Sequence, residues 1–446
     1  MTKPHYLDGC AAQSQVRGIE AAPAGYAWNV FLGDGNSNRN DQDNRNHVRA
    51  VRASECRDLV AFRALYLAWR AARRGKQPSA DQLAFDSTWI DRIVELQELL
   101  NSFSWRPSPP TCFVARSPKA REIHAPAFCD RVVHHLIVPR LESIYERTFI
   151  HDSYSNRRGK GTHAAVCRLR DFVREVDAGQ GGGWYLQLDV ANFFNSVHRP
   201  TLYALLKPRM ERNRLPEWLR RAVHALLIFQ ISRTGVRWAC TETERGSVPP
   251  HKRLENAAAG CGLAIGNLSS QFFANVYLDR LDQFVKHKLK ARRYLRYVDD
   301  FVLVHRDRQQ LGAWRERIET FLRVDLRLEL KADQRLRPLR AGVDFLGYVV
   351  YPTHTTVRRR VIAHARAKLA AFELRWDHSP AAIEAVRSAW SSYLGHFSHA
   401  SSYRIIHRTL RRFPWLSSVM NDERVLCTLE PIAGRGELKA SEDLFL

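Results

Sequence analysis

The chain has 446 residues, 45% of them hydrophobic, enough to bury a large core divided over two or three subdomains. Lysine and arginine outnumber acids 69 to 46, a formal net charge of +23, which argues against a merely soluble basic protein and for a polynucleotide partner. The eight cysteines contain no Cys-x-x-Cys pair, no apolar run of about 18 residues exists, and the N-terminus lacks the apolar core of a signal peptide; neither a zinc or disulfide framework nor a membrane span is expected, and a cytoplasmic setting is.

Residues 1–54 read as a polar, Asn-rich extension. Gly33 to His47 holds no apolar residue and reads as loop by composition, bracketed by strand-like Tyr26–Phe31 and Val48–Arg52. Two helices follow. Leu59, Phe62, Leu65, Tyr66 and Trp69 share one helical face, and Ile90, Ile93, Val94, Leu96, Leu99 and Leu100 recur over Thr88 to Leu100. The run Arg106-Pro107-Ser108-Pro109-Pro110 ends the second.

Residues 184–198 begin as a strand, with Leu186 and Leu188 alternating with Gln187, and the strand ends in Asp189. An acid at the C-terminal end of a strand, before a turn, is a common place for phosphate chemistry. Asp189 is equally readable as the N-cap of a helix starting near Ala191, and the two roles are compatible. An insertion at 230–260, containing Pro249-Pro250-His251-Lys252, reads as a loop over the rim of a site. Tyr294-Leu295 and Phe301-Val302-Leu303-Val304 flank Asp299-Asp300 as a strand, an acidic turn and a strand. Adjacent carboxylates repel, and a divalent cation relieves them; Mg²⁺ prefers carboxylate and phosphate oxygens. With Asp189 from a separate strand, such acids can bridge two metal ions about 3.5–4 Å apart. Leu311 to Val324 then reads as an amphipathic helix, Leu326 to Lys331 as an alternating strand, and His364 to Leu416 as helical and basic.

In this combination the chain resembles reverse transcriptases. Asp189 and Tyr297-Val298-Asp299-Asp300 are similar to the palm motifs, and further motifs follow in order. Residues 116–123 resemble the basic fingers strand, 153–166 the second fingers motif and 262–282 the loop and helix that contact template and nucleotide. Residues 342–348 resemble the primer-grip hairpin and 391–403 the bacterial thumb motif. The resemblance spans roughly residues 58–415 and implies an α+β, right-hand polymerase fold of fingers, palm and helical thumb. The expected division is 1–54 extension, 55–180 N-terminal helices and fingers, 181–352 palm with the insertion, 353–420 thumb and 421–446 tail.

The resemblance implies an RNA-directed DNA polymerase with catalytic Asp189, Asp299 and Asp300 holding two Mg²⁺ ions, the Val190 carbonyl being a further ligand. Lys119 and Arg121 would neutralise the triphosphate, while Ile265, Gly266 and Gln271 would shape the base-pair pocket. Phe194 would act as a steric gate against the ribose 2′-hydroxyl, with Phe193 beside it in the core. Backbone N–H groups of residues 190–194 could cradle phosphates as a nest. Phe345, Leu346 and Gly347 would grip the primer. Lys331 is a candidate general acid, displaced from the family's commonest register.

Implied partners are an RNA template, a DNA or RNA primer, dNTPs and a small basic accessory protein, with no membrane. Where many relatives carry Pro-Gln-Gly, this chain has Ala264-Ile265-Gly266, similar to diversity-generating retroelement enzymes. Two readings of Ile265 stand: weaker checking of the base pair, hence low fidelity, or simple packing on the palm. The Asn-rich segment at 33–47 resembles the variable segment of lectin-fold proteins that such elements diversify; a plain polar extension is the other reading. Alternative functions are an antiviral defence reverse transcriptase, a group II intron maturase, from which Ile265 departs, and a catalytically idle nucleic-acid scaffold.

Overall fold

A computed structural model describes residues 26–27, 51–52, 59–75, 77–116, 119–178, 182–231 and 235–420. The polar stretch 33–47 and the tail 421–446 lie outside the described residues. Tyr26–Ala27 (β1) and Val51–Arg52 (β2) form a short antiparallel ladder.

Three helices follow where the sequence suggested two: α1 (Phe62–Arg73), α2 (Ala80–Ser87) and α3 (Trp89–Asn101). Leu65 and Trp69 of α1 are buried, and the Trp69 ring stacks on Trp89 with centroids 4.8 Å apart. On α3 only part of the apolar set faces inward: Ile93, Leu96 and Leu100 are buried, whereas Ile90 and Val94 are exposed. Helix α2 buries Gln82 and Phe85 and leaves Leu83 exposed, so it carries no apolar stripe. It is fastened instead by Asp81, whose carboxylate accepts the Phe128 N–H at 2.9 Å.

The fingers sheet comes next. β3 (Thr111–Ala115) and β4 (Arg121–Ala125) are antiparallel. Helices α4 (Phe128–Tyr145) and α5 (Thr162–Asp177) follow, α4 being buried around most of its circumference. Then come β5 (Trp184–Asp189), α6 (Phe193–Ser196), α7 (Arg199–Arg212) and α8 (Glu217–Ile228). The insertion is more ordered than a rim loop: β6 (Arg237–Trp238) adds to β3 in parallel, and α9 (Glu242–Gly246) carries a capping box from Thr241 to Glu244.

The palm is built from α10 (Leu268–Gln283), β7 (Tyr294–Tyr297), β8 (Asp300–His305), α11 (Arg308–Asp325) and β9 (Arg335–Pro338). Its four strands lie in the order β7-β8-β5-β9, every pair antiparallel. Side chains alternate across the sheet. Leu186, Leu188, Phe301 and Leu303 enter the main core with α4, α10 and α11, while Tyr185, Val302 and Val304 enter a second core with α5. Burial on both faces is why Phe301 to Val304 is uninterruptedly apolar.

The expected strand at 326–331 is not there. Only Leu330 bridges, to Val190, and the strand that pairs with β5 begins at Arg335. The segment does lie along the end of β5, where Ala191 N–H donates to the Glu329 carbonyl and Lys331 N–H to the Asp189 carbonyl, but Leu326 and Leu328 are buried in the main core and regular pairing with β5 begins only at Arg335.

The antiparallel strands β10 (Val343–Phe345), β11 (Tyr348–Val350) and β12 (Thr355–Val357) lead to the thumb. Its helices are α12 (Arg359–Glu373), α13 (Pro380–Phe397), α14 (Tyr403–Arg412) and α15 (Leu416–Val419), packed on Leu369, Val386, Trp390, Ile406 and Phe413. Among the described residues no helix is long and apolar enough to cross a membrane.

Candidate active site

Strand β5 pairs residue for residue with β8, which sets Asp189 directly opposite Asp300. Strands β7 and β8 close on Tyr297 and Asp300, leaving Val298-Asp299 as a two-residue turn. Such a turn matches strand twist when its first residue has positive φ, and Val298 has φ 55°. That conformation is unfavourable for a β-branched residue and has to be held by its surroundings.

The holder is Arg296, wholly buried beneath the turn. Its guanidinium donates to the Val298 carbonyl at 2.9 Å, to Asp282 at 2.6 and 2.8 Å and to Ser153 Oγ at 3.1 Å. The Tyr294 hydroxyl also donates to Asp282, at 2.6 Å. Burial works against the Arg296 charge, but the Asp282 carboxylate outweighs it and holds the pKa above the usual arginine value. The second fingers motif joins here: Arg296 N–H donates to the Asp152 carbonyl at 2.9 Å and Tyr154 N–H to the Arg296 carbonyl at 3.0 Å.

Three carboxylates thus meet at one end of the sheet. Burial, then repulsion from Asp189, pushes Asp299 up to about 6. Burial, reinforced by Asp189 and Asp299 and opposed by a hydrogen bond from Gln187, pushes Asp300 up to about 7. The Lys331 ammonium pairs with Asp189 Oδ2, and Lys331 N–H donates to the Asp189 carbonyl at 2.8 Å. Asp189 Oδ1 is buried with no hydrogen-bond partner, as an oxygen awaiting a cation would be. Among the described residues no three His, Cys, Asp or Glu side chains already stand in metal-ligand geometry. The donor set is all oxygen, which suits a hard divalent cation.

Asp189 is not a helix N-cap; that place belongs to Asn192, at φ 46°. The N–H groups of Val190 and Ala191 donate to the carbonyls of Asp299, at 3.3 Å, and Glu329, at 2.7 Å. They are therefore unavailable to a phosphate nest. Val190 itself is fully buried. Phe193 is buried, while Phe194 is partly exposed on α6 and packs edge-on to it.

A second group of predicted residues gathers at the fingers sheet. Lys119 and Arg121 are exposed at the loop end of β3 and β4. The Ile265 carbonyl accepts from His124 N–H at 2.8 Å, laying the loop along β4. Gly266 has φ 112°, and a Cβ there would stand 2.8 Å from Ile123 Cγ2, so the close approach requires glycine. Gln271 is exposed in the first turn of α10.

In the hairpin of β10 and β11, Leu346 (φ 50°) and Gly347 (φ 90°) form the turn, while the Phe345 side chain is fully buried in the second core. The insertion lies against the turn after β5: Asn192 Nδ2 donates to the His251 carbonyl at 2.5 Å and Asn195 Nδ2 to the Arg253 carbonyl at 3.3 Å. Gln187 and Arg296 are the residues that sequence reasoning missed. The one available signal was a polar side chain at an inward position of an otherwise apolar strand.

A four-stranded antiparallel palm with carboxylates at the end of its central strands, flanked by fingers and a helical thumb, defines a template-directed polymerase of right-hand architecture. Residues 115–350, more than half of the chain, match the family described as reverse transcriptase (RNA-dependent DNA polymerase), and the chain belongs to that family. Its enzyme class is RNA-directed DNA polymerase, with the family's general need for a divalent metal, an RNA template and a primer.

Protein YkfC of Escherichia coli K12 is 26% identical over 306 residues, covering 60% of this chain and 72% of that protein. The group II intron-encoded protein LtrA of Lactococcus lactis subsp. cremoris is 23% identical over 287 residues, 63% of this chain and 42% of LtrA, so the chain spans less than half of LtrA's length. Telomerase from Candida albicans aligns with a TM-score of 0.40 at 12% identity, covering 71% of this chain and 55% of that one.

Proposed function

We propose that the protein copies RNA into DNA with Asp189, Asp299 and Asp300 as its catalytic carboxylates. The single observation that supports this most is the unpartnered, buried Asp189 oxygen facing two carboxylates of raised pKa. These three residues, with the Val190 carbonyl, would hold two Mg²⁺ ions, which when bound make the attacking hydroxyl more acidic and offset charge on the leaving pyrophosphate.

The rest falls to the chain's own groups. The primer 3′-hydroxyl attacks the α-phosphate in line, and pyrophosphate leaves. Lys119 and Arg121 attract and orient the triphosphate. Ile265 and Gly266, held against β4, shape the pocket for the base pair, with Gln271 at its rim. Phe194 lies under the sugar and excludes a 2′-hydroxyl. Leu346 and Gly347 form the tip that meets the primer strand. Lys331, paired with Asp189, is the candidate proton donor to pyrophosphate.

An idle scaffold would have no reason to keep these carboxylates buried against one another. Ile265 cannot hydrogen-bond to a sugar or base, so we assign the enzyme low fidelity and a role in a bacterial diversity-generating retroelement, with a small basic accessory protein. Free Cys112, Cys129, Cys167, Cys240 and Cys261 suit the reducing cytoplasm. The test is primer extension on an RNA template with Mg²⁺ and dNTPs, beside Asp299→Asn, with products sequenced. DNA synthesis lost in the variant, with RNA binding kept, is the expected result. An active Asp299→Asn sinks the carboxylate assignment, and errors spread evenly over template bases, rather than concentrated at adenines, sink the retroelement role.

A further inference from the structure

Gln187 stands two residues before Asp189, on the same face of β5. Its Nε2 donates to both Asp300 oxygens, at 3.1 and 3.3 Å, and to the Asp344 backbone carbonyl at 3.1 Å. Both amide protons are therefore engaged. The other amide atom, Oε1, is buried without a partner, so Asp300 and Asp344 alone set the orientation of the group. Reversing the amide would set its oxygen against the Asp344 carbonyl, acceptor against acceptor.

Asp344 lies in β10, beside the turn that carries Leu346 and Gly347. Its Oδ2 is 2.7 Å from Arg358 Nη2 and 3.6 Å from Arg335 Nη1. Arg335 sits opposite Gln187 on β9. Arg358 is the N-cap residue of α12, where the thumb begins, and its N–H donates to the Gly347 carbonyl at 2.9 Å. Polar contacts therefore lead from Asp300 through Gln187 to the Asp344 backbone, and from the Asp344 carboxylate to the N-cap of the first thumb helix. Each link is directional, and the first two are partly buried, where a lowered dielectric strengthens a hydrogen bond.

We propose that Gln187 is a positioning residue that fixes Asp300 by reference to the primer-grip hairpin, and that Asp344 and Arg358 extend this reference to the thumb. Seating of the thumb on primer–template is then felt at a catalytic carboxylate. The inference rests on the polymerase reading above.

The experiment compares the full chain with Gln187→Met, Arg358→Ala, Arg358→Lys and the Gln187→Met/Arg358→Ala double variant in single-turnover extension. Methionine keeps the length of Gln187 without its amide. Gln187→Met should lower the rate at saturating dNTP by about 10- to 100-fold, with KM for dNTP and primer–template affinity changed less than about threefold. Its Tm should stay close to wild type. Arg358→Ala should cost less in the same rate, Arg358→Lys should recover most of it, and the double variant should match Gln187→Met alone. Hydrogen exchange supplies a reading apart from activity: primer–template should protect the Tyr297–Asp300 turn in wild type and not in Gln187→Met or Arg358→Ala.

An unchanged rate in Gln187→Met overturns the positioning role. Rate losses that multiply in the double variant overturn the link to the thumb. A lowered Tm with exchange protection retained assigns Gln187 to packing instead. A wild-type chain that extends nothing overturns the polymerase reading itself, and this inference with it.

Discussion

Phe194 and Phe193 are neighbours with opposite fates, and the difference carries the sugar-selection argument. Phe193 is 2% exposed and belongs to the core, whereas Phe194 keeps part of its ring at the surface of α6. Phe194→Ala should therefore leave folding nearly intact and raise ribonucleotide incorporation on the order of 10-fold or more, read from extension with NTPs in place of dNTPs. Unchanged sugar selection would remove the gate role.

The carboxylates make a separate claim. Asp299 and Asp300, raised to about 6 and about 7, bind protons in the folded state that the unfolded chain has released above about pH 4. The metal-free protein should thus lose stability as pH rises from about 4 to about 7. Added Mg²⁺ competes for the same oxygens, so it should raise Tm by about 2–4 °C near pH 7.5 and hardly at all near pH 5. The reverse order in thermal melts would mean that the metal binds elsewhere. The acidic turn was legible because its carboxylate pair is flanked on both sides by apolar, strand-forming runs. Gln187 and Arg296 were not, since their partners come from elements far away in the chain.

At the level of elements, patterns that carry their own partners were readable and those that borrow one were not. The hairpin around Asp299, the strand ending at Asp189 and the amphipathic helix α11 all follow from local periodicity. Helix α2 has no apolar stripe and is secured by two carboxylates, Asp81 on the Phe128 N–H and Asp86 on Trp69 and Arg73, so apolar periodicity does not announce it. The segment 326–331 alternates well, yet it meets β5 only at the single bridge from Leu330 to Val190, and the regular pairing starts at Arg335. The acidic hairpin also depends on a borrowed partner. Arg296 and Asp282 are 1% and 0% exposed, and removing one member of such a pair strands the other. Arg296→Met should cost about 3–5 kcal/mol, measured by denaturant unfolding, and lower soluble yield. A loss below about 1 kcal/mol would show that the turn holds itself.

Across the whole molecule the charge is unevenly committed. On α14, Arg404, His407, Arg408 and Arg411 are all exposed, and the helix buries only Ile406 and Thr409. That basic face, with the overall excess of 69 cations to 46 acids, predicts strong salt sensitivity. Affinity for an RNA–DNA primer–template should fall on the order of 10³-fold between about 50 and 200 mM salt, linearly on logarithmic axes. A flat dependence would rule out phosphate contacts as the source of affinity. The net charge and the basic character of 364–416 were plain from the sequence; which of those arginines face outward was not, because packing of the helices in space decides it.

The buried support of the acidic turn separates two things that active sites often entangle. The shape of the hairpin is guarded by Arg296 from below, and its chemistry by carboxylates from above, so the second can be erased without the first. A descendant that lost Asp299 would keep its fingers, palm and thumb and go on grasping nucleic acid. In such a lineage, silence would come before collapse, leaving a well-formed shell free to take up a different occupation.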